Sequence, residues 1–169
     1  MQALTIRQPL LTKIAIVILT VLSCPFIGLG ASKPAVSEDR MVLGPRQFEA
    51  DKGGGAVLCG WSMYLSARTQ TAACGFSRQP VDDAIDEAIT AIDGFIIANS
   101  SLHPTREMLD DFKRRAEEAE LGHTHQLGMQ RYCENNFAQR FRRQSPDQIR
   151  ASVRGLLAVP REPVMNPCL

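Results

Sequence analysis

Apolar residues recur at intervals of three and four along several stretches of this chain. The clearest begins at Pro80 and reads "PVDDAIDEAITAIDGFIIANS". Val81, Ile85, Ala88, Ile92, Phe95 and Ile96 form one stripe, and Asp82, Asp83, Asp86, Glu87 and Asp93 lie mostly on the other side. That spacing predicts an amphipathic helix. Pro80 suits its first turn, and the early acids suit the positive end of the helix dipole. In "PTREMLDDFKRRAEEAELG", Met108, Leu109, Phe112, Ala116 and Ala119 are the expected core positions and Gly122 the expected C-terminal cap. Met129, Cys133, Phe137 and Phe141 recur every four residues and predict a further helix. Ser145-Pro146-Asp147-Gln148 supplies the cap, first-turn proline and glutamine of a capping box, ahead of Ile149, Val153, Leu156 and Leu157.

The stretch "AVLCGWSMYLSARTQTAACGF" is less regular. Leu58, Trp61, Leu65, Ala72 and Phe76 fall at nearly helical spacing, so it reads as one helix, continuous or broken near residues 69–71. No strand-type alternation competes with these patterns. They predict an all-α fold, an antiparallel bundle-like domain of four or five helices spanning residues 56–169. Pro160, Pro163 and Pro167 mark its end as an extended tail, because proline cannot continue a helix or readily join a sheet. Residues 32–55 are polar, end in Gly53-Gly54-Gly55 and read as a flexible lead into the domain.

The first 31 residues are of another kind. Arg7 and Lys13 precede an uncharged apolar run from Ile14 to Gly30, with small residues at its end. This is the pattern of a secretory signal peptide, with cleavage expected before Ala31 or Ser32. Two other readings of the same segment stand beside it. Val21-Leu22-Ser23-Cys24 matches a lipoprotein box in which Cys24 would be lipidated, although the run stays apolar past that cysteine. The run also lies near the short limit of the ~17–25 residues that span a bilayer, which allows a retained anchor. All three place the rest of the chain outside the cytosol, periplasmic or secreted.

That compartment changes the cysteine arithmetic. Without Cys24, four cysteines remain: Cys59, Cys74, Cys133 and Cys168. In an oxidising compartment an even set reads as disulfides, with three pairings open. A continuous first helix would hold Cys59 and Cys74 about 22 Å apart, too far to bridge. Each would then pair with one of Cys133 and Cys168. A break in that helix would instead allow Cys59–Cys74. The long-range pairings are the expectation adopted here.

Roughly 138 residues remain after the signal, enough for one domain that buries about two-thirds of its unfolded surface. Without Arg7 and Lys13 that part is close to neutral, so no global basic charge points to nucleic acid. The charge is divided, however. Residues 82–120 are rich in acids, and Arg131, Arg140, Arg142, Arg143, Arg150 and Arg154 follow. The arginines either complement the acidic helix within the fold or form a basic patch for an acidic partner or anionic lipid heads.

Little else in the sequence carries chemistry. His123 and His125 in "GHTHQLG" are weak metal candidates that could chelate together only in a loop or extended segment. Glu120-x-x-His123 matches one element of a di-iron site, which needs a second copy and further carboxylates. Cys133 as a nucleophile would need a free thiol of low pKa. No cofactor is expected. The functional expectation is an exported helical protein that binds another envelope or secreted protein without catalysis, in an inhibitory, immunity, chaperone or structural role. Membrane association is expected only if the N-terminal segment is retained or lipidated. The alternative is an enzyme or metal-binding protein built on His123, His125 and nearby carboxylates.

Overall fold

The computed structural model describes residues 43–168, apart from the side chains at 123 and 125–127. The signal segment, Cys24 and residues 32–42 of the expected lead lie outside the described residues. Among the described residues the fold is all-helical: α1 Val57–Ala73, α2 Pro80–Asn99, α3 Arg106–Leu127, α4 Met129–Glu134, α5 Phe137–Arg142 and α6 Pro146–Leu156. No strand occurs among them, only one isolated parallel bridge between Ala50 and Asn166.

α1 is continuous through residues 69–71 and packs against α2, α3, α4 and α5. Its irregular apolar pattern follows from that central place. Val57, Leu58, Cys59, Trp61, Tyr64, Leu65, Ala67, Thr69 and Gln70 are all buried, which leaves no single polar face. Ala72, one of the apolar positions at helical spacing, is exposed. Trp61, Ile85, Ile92, Ile96, Leu109 and Ile149 are fully buried and join α1, α2, α3 and α6 in one core. Met108, expected inside, is 49% exposed, because Leu109 rather than its neighbour points inward.

Helix ends explain two departures from the sequence reading. α3 does not stop at Gly122 but runs five residues further, to Leu127. A glycine inside a helix costs only about 1 kcal/mol. The terminator is Gly128, at φ +81°, whose N–H donates to Thr124 O at 2.7 Å. The helix expected across residues 129–141 is two short ones, divided at Asn135 and Asn136. Gln70, 2% exposed, holds that break open. Its Nε2 donates to Tyr132 O at 2.6 Å and Asn135 O at 3.1 Å, while its Oε1 accepts from Ala138 N at 2.7 Å. One buried amide thus satisfies backbone groups on both sides of the break.

Residues 43–55 are not a free lead. Leu43 sits in the core, Pro45–Phe48 form a 3-10 turn, and the stretch lies along the C-terminal tail. Met165 N donates to Gln47 O, Asp51 N to Asn166 O and Leu58 N to Val164 O, at 2.7–3.0 Å. The glycines serve a turn around Asp51, whose Oδ1 accepts from Gly53, Gly54 and Gly55 N–H. Arg161 Nε donates to Asp51 Oδ2 at 2.7 Å, and its terminal nitrogens reach Gly55 O, Leu156 O and Val159 O. A side chain on Gly54 would collide with that guanidinium. Polar composition looked like solvated linker, but these polar groups have partners within the fold.

Two disulfides complete the frame. Cys59 joins Cys168 across a sequence separation of 109, and Cys74 joins Cys133 across 59. The first pins the tail to the start of α1, and the second pins the end of α1 to α4.

Candidate functional site

A surface cleft lies where α1 ends and α2 begins. α1 closes in a Schellman turn: Gly75 takes φ +63°, Phe76 N donates to Thr71 O at 3.1 Å and Gly75 N to Ala72 O at 3.1 Å. Four residues later Pro80 opens α2. Gln79 and Asp82 form a reciprocal capping box, with Gln79 N donating to Asp82 Oδ2 at 2.8 Å. The two tight ends leave a cleft of about 150 Å³ between the helices. Arg68, Thr71 and Ala72 line it from α1, Phe76 and Arg78 from the connection, and Asp82, Ile85 and Asp86 from α2.

Its charged groups differ in what they hold. Asp82 is bound by Arg142, with Nε on Oδ1 at 3.0 Å and a terminal nitrogen on Oδ2 at 3.2 Å. Their side chains are only 8% and 5% exposed. Arg142 also donates to Ser77 O, and its guanidinium lies 5.3 Å from the Phe76 ring centre. Arg78 bridges Asp83 and Asp86 at 2.6 and 2.7 Å, and the bonds from Asp86 and Asp83 raise its pKa further above the ordinary arginine value. Arg68 has no ion-pair or hydrogen-bond partner among the described residues.

The six arginines singled out in the sequence do not form one free surface. Arg142 is interior. Arg150 binds Glu87 at 2.7 Å and reaches Asp147, and its bond lowers the Glu87 pKa. Arg140 and Arg143 are exposed and bond locally to Asn136 and Gln139. Arg131 and Arg154 are exposed and unpartnered among the described residues. The acidic face of α2 therefore meets two of the six directly.

His123 and His125 fall within α3, not in a loop. Helical positions two apart lie about 200° apart around the axis. Among the described residues no group of three or more His, Cys, Asp or Glu is placed to hold a metal ion. Glu120 is engaged elsewhere. It accepts from Tyr132 Oη at 3.2 Å and Ser66 Oγ at 3.4 Å, and burial together with that carboxylate raises the Tyr132 pKa. Cys133 is held in its disulfide. No described helix is long and apolar enough to cross a membrane.

The cleft escaped the sequence reading. One local signal for it was present, Gly75 as the end of α1. Family models, curated proteins and solved structures yield no match to this chain.

Proposed function

We propose that this chain is an exported, non-catalytic binding protein of the cell envelope or periplasm, delivered by a cleaved N-terminal signal. The observation that carries the reading is the disulfide frame. Both bridges join segments far apart in sequence, and they use all four cysteines beyond Cys24. Such bridges persist in oxidising compartments and are rare in the cytosol. The basic start and apolar run before Ala31 supply the matching address.

The side chains that catalysis would recruit support the binding half of the proposal. Asp51, Asp82, Asp93 and Glu120 are each engaged by Arg161, Arg142, Lys113 and Tyr132 in contacts that tie the fold together. The cleft beside Arg68 is the surface offered to a partner.

Intact mass of the protein recovered from its native host tests the address. The proposal expects a chain that begins at Ala31 or Ser32. Full-length mass would reject cleavage, and a diacylglycerol increment on Cys24 would replace the soluble reading with a lipidated one.

A further inference from the structure

We infer that the cleft between α1 and α2 takes a small aromatic carboxylate, with the ring on its apolar floor and the carboxylate on Arg68. The inference rests on the binding reading above and gives it a ligand class.

Size comes first. A cavity of about 150 Å³ lined by apolar side chains accepts one benzene ring, and this cleft measures about 150 Å³. The volume suits one ring, and the open side leaves room for a short acid chain. Chemistry of the lining comes second. Ala72 and Phe76 supply apolar surface beside the buried Ile85, and Phe76 is braced on the guanidinium of Arg142. The floor is therefore held before any ligand arrives, which lowers the ordering cost of binding.

Charge decides the rest. Both carboxylates in the lining are already engaged, Asp82 by the buried Arg142 and Asp86 by Arg78. Arg68 is the lining cation with no partner among the described residues. A planar guanidinium without a partner in the lining is matched by a carboxylate, which it can bind through two parallel hydrogen bonds. A neutral ring would fill the floor and leave Arg68 unused. A cationic ring would meet like charge.

The test uses the full chain with its disulfides formed, labelled with nitrogen-15 and titrated with 3-phenylpropionate, its neutral amide, and acetate. Expected are saturable amide shifts confined to residues lining the cleft. The neutral amide should bind on the order of tenfold more weakly, the loss of one charge-assisted contact. Arg68→Ala should abolish the preference for the acid over the amide. Ala72→Phe, at an exposed lining position, should block all binding while leaving the rest of the spectrum unchanged. Absence of saturable shifts, equal affinity for acid and amide, or an undiminished preference in Arg68→Ala would overturn the inference. The titration is independent of where a cell places the chain. Failure here leaves the export reading standing, and a cytosolic location would leave a positive titration intact.

Discussion

Replacing Arg142 with alanine separates a buried ion pair from its surface counterparts. Arg142 and Asp82 are 5% and 8% exposed and share two hydrogen bonds. The substitution removes both, the bond to Ser77 O and the support under Phe76. Asp82 would keep the Gln79 N–H but remain a buried carboxylate without its cation. Breaking such a pair from one side costs about 3–5 kcal/mol. Arg150→Ala is the internal control. Its pair with Glu87 is 38% and 56% exposed, and solvent screening makes its loss much the smaller of the two. Removing both Asp82 and Arg142 should cost less than the two single losses added together, by about 2 kcal/mol, because no buried charge is stranded. Urea unfolding with the disulfides intact measures all four variants. Trp61, the only tryptophan and fully buried, reports the transition. An Arg142→Ala loss no larger than that of Arg150→Ala would refute the reasoning.

Asp51 gives a pH prediction. Burial pushes its pKa up, but bonds from Arg161 and from Gly54 and Gly53 N–H outweigh burial and hold it at about 2, against an ordinary 3.8. A depressed carboxylate stabilises fully above its unfolded pKa and loses that contribution as pH falls through its folded pKa. Roughly 2 kcal/mol should therefore disappear between about pH 4 and pH 2, and Asp51→Asn should remove that component from acid-unfolding curves. Replacing Cys59 and Cys168 by serine should destabilise by at most about 5 kcal/mol, and the Cys74–Cys133 pair by at most about 4, from loop-closure entropy; chemical denaturation of each double variant measures this. Gln70→Ala strands three backbone groups around the α4–α5 break and should cost about 2–4 kcal/mol, with hydrogen exchange accelerated first at Ala138.

Helix positions were legible where the apolar period was clean. α2 and α6 begin at the prolines that the sequence marked, and Ser145 and Gln148 form the capping box expected of them. Legibility failed where tertiary contacts override local signals. Gly122 looks like a terminator, but Gly128 supplies the positive φ that ends α3. The four-residue period through Met129 and Phe141 continues across a break that Gln70 imposes from another helix. Gly53-Gly54-Gly55 has the composition of a linker, yet it wraps a carboxylate whose partner, Arg161, lies over a hundred residues later. The cleft was hidden for the same reason. Its braced Phe76 and the pairing of Asp82 depend on Arg142, which reaches back 60 residues to that carboxylate.

Non-reducing peptide mapping of the protein isolated from its native host tests the central claim most directly, since the stapled frame and the oxidising compartment are read in one measurement. The account predicts two linked species, Cys59 with Cys168 and Cys74 with Cys133. A peptide joining Cys59 to Cys74, or four free thiols in protein trapped at the moment of lysis, would contradict it.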